Sequence, residues 1–263
     1  MTPMEPNTQP TPNERLFAAA EKGSTRLVTA ALAAGADVNA RLVIDALVYG
    51  ADVHAHVAAA GGLTPLHVAA RAENPKIIHT LLAAGADPNA RDIHNHTPLH
   101  HAIHNPENAL ALLDAGADPD ARSRLNETPL HTAIYEPRLA KLLLDRHADP
   151  NASGASGDTP LHHTAYYPLP DVIRVLLEAG ADPLLKNRSG KTPIELTVLN
   201  DQTANLAAFD QAMVDGVIPA ATRAKVLAEY PNQFPHARVA AAATTVNLKW
   251  ARPAPPTDRG MDI

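Results

Sequence analysis

The sequence predicts an all-α repeat solenoid, and three observations predict it. Thr-Pro-Leu-His occurs at Thr64, Thr97, Thr128 and Thr159, and a variant, Thr-Pro-Ile-Glu, at Thr192, with spacings of 33, 31, 31 and 33 residues. A second string, Gly-Ala-Asp, begins at Gly35, Gly50, Gly85, Gly116 and Gly180, with His147-Ala148-Asp149 in the missing slot. The two strings keep phase, since Thr64 to Gly85 and Thr159 to Gly180 are each 21 residues. Self-similarity at a fixed period of this size marks a stacked array. The third observation is composition. Of the 263 residues 45% are hydrophobic but only 3% aromatic, and much of the apolar content is alanine. Thin layers in close contact suit such side chains better than one deep core does.

The elements follow in order. Residues 1–12 hold several prolines and are expected to be loose. Residues 13–41 form an N-terminal capping repeat, with short apolar faces at Phe17–Ala20 and Leu27-Val28 and polar residues elsewhere, as an end of a stack requires. Residues 42–56 are an irregular insertion: Gly35 to Gly85 is 50 residues where 33 are expected, so about 17 extra residues enter one loop, with an extra short helix the favoured form. Full repeats occupy residues 57–91, 92–122, 123–153 and 154–186. The first helix of each starts at a Thr-Pro, because a residue before proline is pushed to extended geometry, which an N-cap needs. Proline then sits at the first helical position, where its missing N–H costs nothing.

A second helix precedes each Gly-Ala-Asp, carrying Leu81-Leu82, Leu112-Leu113, Leu143-Leu144 or Leu176-Leu177 as inter-repeat core. Gly85, Gly116 and Gly180 fall just past its end, where left-handed backbone favours glycine; His147 breaks that rule and should carry local strain or an altered cap. The 31-residue units lose two residues between the helices, near Pro106 and Pro137, which are expected in the first turn of the second helix. Residues 187–219 read as a degraded C-terminal cap, residues 220–230 as a possible further helix, and residues 231–263 as an Ala/Pro-rich, mostly disordered tail.

The motifs TPLHVAA (64–70), TPLHHAI (97–103), TPLHTAI (128–134), TPLHHTA (159–165), GADVNAR, GADPNAR and GADPDAR resemble the ankyrin repeat family over roughly residues 13–219. The resemblance implies stacked helix–turn–helix units joined by projecting β-hairpin-like loops, the fingers. It also implies that His67, His100, His131 and His162 tie each loop to its neighbour by hydrogen bonds.

Composition narrows function. Cys 0 excludes a disulfide scaffold, a thiol nucleophile and cysteine metal sites. The net charge is −6; six basic residues against three acidic ones leave the stretch from Ala220 onward at +3 and the rest at −9. An acidic body argues against nucleic acid. No apolar run is long enough to cross a bilayer, so no membrane partner is expected. The start, MTPMEPNTQPTPNERLF, has neither a basic segment nor an apolar one, so it does not read as a secretory signal. A cytoplasmic setting is expected, with secretion into a host cell as an effector the alternative. No metalloprotease helix, phosphate loop or nucleophile elbow is present, so no enzyme activity, catalytic residue or cofactor is expected. Fourteen histidines invite a metal reading. The pairs His54/His56 and His94/His96 each put two rings on one face of an extended finger, with His104 a third ligand for the latter. Polar, exposed finger tips explain them better, and no metal ligand is assigned.

In proteins of the family this chain resembles, partners contact the finger tips and the outer turn of the first helix, on the concave face. The matching slots here hold Arg71; Ile93, His94, His96 and His104; Arg124, Leu125, Glu127 and Tyr135; Asp158, Tyr166 and Tyr167; and Arg188, Lys191 and Asn200. Three of the five tyrosines fall in these slots, and tyrosine and arginine are enriched where binding energy concentrates. The expected function is a monomeric, non-enzymatic scaffold that binds another protein. The alternatives are a docking module of an enzyme complex, using the tail with TTVNLKW (244–250), and a metal- or small-ligand-binding protein using the finger histidines.

Overall fold

The computed structural model describes residues 9–42 and 61–250, the last eight as backbone only. Among the described residues every regular element is helical. Two columns run the length of the stack. The first helices are α1 (Pro12–Glu21), α3 (Pro65–Ala70), α5 (Pro98–His101), α7 (Pro129–Thr132), α9 (Pro160–His163) and α11 (Pro193–Leu199). The second helices are α2 (Thr25–Ala33), α4 (Pro75–Ala83), α6 (Pro106–Asp114), α8 (Pro137–Asp145), α10 (Pro170–Glu178) and α12 (Thr203–Val214). Each first helix packs on the next first helix and each second helix on the next second helix. A single hydrophobic layer, from Leu16 through Leu66, Leu99, Leu130 and Leu161 to Ile194, is shared between neighbours, as in solenoids. Leu81, Leu112, Leu143 and Leu176 are buried in the second column.

Proline starts fix the register. Thr64, Thr97, Thr128, Thr159 and Thr192 are extended N-caps followed by proline at the first helical position. Pro75, Pro106, Pro137 and Pro170 do the same for the second helices. The second helices end in a left-handed residue: Gly85, Gly116 and Gly180 have φ of 90°, 88° and 89°, and His147 is forced to 66°. The first helices α5, α7 and α9 have four residues each, the last of them in a unit without the two-residue deletion.

Three sequence expectations concern the ends and the insertion. The loose N-terminus stops earlier than expected: Thr11 caps α1, accepting from the Glu14 N–H at 3.3 Å while its own N–H donates to the Glu14 carboxylate at 2.6 Å. The disordered tail is corrected more fully. Residues 220–229 are helix α13 (Ala220–Glu229), and α14 (Pro235–Trp250) follows, packed on α12. Phe234 and Ala237 are fully buried, and the Asp210 carboxylate of α12 accepts the N–H groups of His236 and Ala237, capping α14. The stack therefore continues beyond residue 219. The expected helix in 42–56, the looseness of residues 1–8 and the disorder of Pro253–Pro256 lie outside the described residues. The insertion is bridged at its base, where Leu42 N–H donates to Leu63 and Gly62 N–H to Leu42, so α1 packs directly on α3.

Candidate functional site

Three ladders hold the fingers in place. In the first, the Nδ1 atoms of His67, His100, His131 and His162 accept the N–H of the N-cap threonines at 3.0 to 3.1 Å. The ring proton must therefore be on Nε2, which donates to the carbonyls of His96, Glu127, Asp158 and Lys191 in the next finger at 3.1 to 3.2 Å. Burial pushes His67 and His131 down to about 4 and His100 down to about 3, so these rings are neutral near pH 7. In the second, Asn39, Asn89 and Asn151 accept the N–H of Asp87, Asp118 and Asp182 and donate to the carbonyls of Gly85, Gly116 and Gly180. In the third, Arg41, Arg91 and Arg122 each reach the carbonyl of residue 91, 122 or 153 in the next finger. Single backbone bonds link successive finger tips, Arg124 to His94, Ala155 to Leu125 and Arg188 to Ser156.

The sequence-assigned residues fall beside these ladders in two groups. One group is aromatic. Tyr135, Tyr166 and Tyr167 are 52%, 53% and 49% exposed. The Tyr135 and Tyr167 rings meet edge to face with centroids 5.3 Å apart, joining two repeats. Partial burial, together with the Tyr167 hydroxyl, raises the Tyr135 phenol above its ordinary value, so it stays neutral. With Tyr166, His163 and Asp158 they line an open cleft of about 320 Å³. Burial would raise the Asp158 carboxyl, but bonds from Ser156 and Asn187 outweigh it and hold it below the ordinary range. Glu127 lies beside His163, 3.8 Å between Oε1 and Nε2. Leu125, Arg124 and Arg188 are exposed on the tips, while Lys191 pairs with Glu195. Asn200 is structural, its amide donating to the Ala165 carbonyl.

The second group is built from histidine. Arg71, His101 and His104 line a cleft of about 270 Å³. Arg71 is not a free finger: Nε and Nη2 lie 3.1 and 2.6 Å from His101 Nδ1. His101 in turn sets Nε2 3.2 Å from Asp92 Oδ2. Asp92 Oδ1 accepts the N–H groups of His94 and His96, both at 2.8 Å, and Ile93 caps the tip, half exposed. The sequence offers His94, His96 and His104 as the nearest approach to a ligand set. The structure brings a different trio together, Asp92, His96 and His101, whose donor atoms all lie within 4.8 Å of one another. Asp92, His101 and His163 were missed because each sits beside a structural motif. The signal was the doubled histidine in TPLHH at 97–101 and 159–163, where only one ring can serve the ladder.

Among the described residues no helix is long and apolar enough to cross a membrane. Comparison with curated proteins finds no match. A family model described as ankyrin repeats (3 copies) matches residues 16–123 and 111–187, within the stack just described. Ankyrin repeats are generally protein–protein interaction modules and typically non-enzymatic. With well over half of its length matched and the helix pairs stacked in register, the chain belongs to the ankyrin repeat family.

Proposed function

We propose that this chain is a non-enzymatic scaffold that binds a partner protein on the concave face, through the finger tips and the row centred on Tyr135, Tyr166 and Tyr167. The observation that carries the reading is the exposure of three tyrosines in adjacent repeats around one cleft. A slot without packing duty on an ordinary surface would hold Lys, Glu or Asn. Tyrosine offers a large ring at low entropic cost and a hydroxyl for hydrogen bonding. Arg124, Glu127, Asp158 and Arg188 supply a polar rim. The setting that fits this reading is the cytoplasm, as a regulator, or a host cell, as a secreted effector.

The test compares the wild-type chain with the triple variant Tyr135→Ala, Tyr166→Ala, Tyr167→Ala in a pull-down followed by direct affinity measurement on the partner recovered. Helical circular dichroism should be unchanged, and binding should weaken by more than about 2 kcal/mol, roughly thirtyfold. A partner that binds the variant at wild-type affinity would remove the tyrosines from the interface.

A further inference from the structure

The Asp92 corner is more elaborate than the repeat requires. The slot five residues before each N-cap threonine has one backbone duty, to close the finger turn. Ser123 performs it with its hydroxyl, which accepts the Glu127 N–H at 3.2 Å. Asn187 performs it with one amide oxygen, which accepts the N–H groups of Ser189 and Lys191 at 3.0 Å. Neither carries a charge. Asp92 does the same work through Oδ1 alone, leaving Oδ2 as a second, anionic oxygen on a residue only 5% exposed.

Two imidazoles converge on that oxygen. His101 Nε2 lies 3.2 Å away and His96 Nδ1 3.5 Å away. One ring comes from α5 and the other from the finger. The equivalent slots are Glu127 and Thr132 in the following repeat, Asp158 and His163 in the next, where Gly154 replaces Asp92, and Lys191 and Leu196 in the last, so the trio is not part of the repeat pattern. Arg71 stands behind His101 on its Nδ1 side. A nearly buried carboxylate oxygen thus faces two ring nitrogens.

We propose that Asp92, His96 and His101 bind a divalent first-row transition-metal ion of the zinc type. Two imidazoles and a carboxylate are donors such ions accept, and metal–ligand bonds of about 2.0–2.2 Å fit donors already within 4.8 Å of one another after a small closure. The His96 side chain is a third exposed, so the remaining coordination position opens to water. The backbone bonds to Oδ1 orient the carboxylate, as outer partners of metal ligands do. Arg71 is the competitor. While it donates to Nδ1 of His101, the ring proton is held on Nε2, where the metal must bind. Metal binding moves that proton to Nδ1 and turns Arg71, an exposed side chain, away. This site is independent of the tyrosine cleft and of the protein-binding reading.

The experiment titrates the full chain, carrying no polyhistidine tag and stripped with a chelator, with Co2+ alone, followed by the visible d–d absorption, and then displaces Co2+ with Zn2+. One ion per chain and a spectrum of four-coordinate nitrogen and oxygen ligands are expected. Asp92→Asn keeps the turn closed as Asn187 does, and His96→Ala removes a partly exposed ring. Each should weaken binding at least about tenfold with unchanged helical circular dichroism. Arg71→Ala should tighten it, and His94→Ala and His104→Ala should leave it unaltered. Absence of saturable Co2+ binding by the wild type would overturn the proposal, as would wild-type affinity in His96→Ala or weaker binding in Arg71→Ala.

Discussion

The ladder beneath the fingers and the open slots beside it use the same amino acid for opposite ends. His100 and His101 are adjacent, as are His162 and His163. The first of each pair is buried, neutral and bonded at both nitrogens, to its own N-cap and to the next finger. The second faces the open side, where His101 meets Arg71 and Asp92 and His163 lines the tyrosine cleft. One residue along the helix separates a group the fold depends on from a group it does not need. Repetition identifies the first kind, and departure from repetition identifies the second.

Acid should break the ladder first, with the largest effect. His131 has an ordinary pKa near 6.5 when unfolded and about 4 when folded, because burial disfavours its cation. The charged groups around it are Arg122, His163 and Asp158, of which Asp158 alone opposes the shift. Between these values the unfolded chain binds more protons, so stability is complete above about 6.5 and is lost as pH falls toward 4. At pH 5 the cost is about 2 kcal/mol for this one rung, and the other three rungs act in the same direction. Urea titrations should show the midpoint falling steeply from pH 6.5 to 4.5. A flat profile would mean the rungs are not buried as neutral rings.

Substitution should separate the two regions next. His131→Ala deprives the Thr128 N–H and the Asp158 carbonyl of their partner, which should cost about 2 kcal/mol at pH 7.5. It should also reduce the pH slope by up to about 1.4 kcal/mol per unit below pH 6. His163→Ala removes a partly exposed ring whose nearest approach to the Glu127 carboxylate is 3.8 Å, and should change stability by less than about 0.5 kcal/mol. Equal losses in the two variants would erase the distinction between ladder and slot.

The same distinction explains what was legible in the sequence. Helix starts and stops were, because Thr-Pro and the left-handed glycine act within a few residues of chain. The strain at His147 was legible for that reason, and its φ of 66° bears it out. The start of α1 was not, since Thr11-Pro12 lacks the Leu-His that marks the other repeats. Helix α14 was hidden because an alanine-rich segment becomes ordered only through Phe234 in the core and the Asp210 carboxylate, a partner 26 residues away. The open face was legible as slots but not as contacts. Tyr135 pairs with Tyr167, not with Tyr166 at the matching position, and Asp92 meets His101 across the turn between finger and helix.

The smallest effects test whether every interface needs a complete ladder. The contact between repeats 92–122 and 123–153 is irregular twice. Asp120 stands where Asn39, Asn89 and Asn151 stand elsewhere; its Oδ1 accepts the Asp149 N–H at 3.0 Å, but it has no amide to donate to the carbonyl of residue 147. At that residue the left-handed turn is carried by histidine rather than glycine. Both defects meet at one point of the stack. His147→Gly removes the steric penalty of the positive φ and should stabilise by up to about 1 kcal/mol, less the entropy glycine gains on unfolding. Asp120→Asn restores a donor in the pose of Asn89 and should add about 0.5 kcal/mol. Because the two residues share that carbonyl, the pair need not be additive, and a double-mutant cycle measures the coupling. Thermal melts should rank the double variant above each single one and both singles above wild type. A lower midpoint for His147→Gly would show that the imidazole makes a contact worth more than the relief of strain, and the ladder would then tolerate this interface as a specialised joint rather than a weak one.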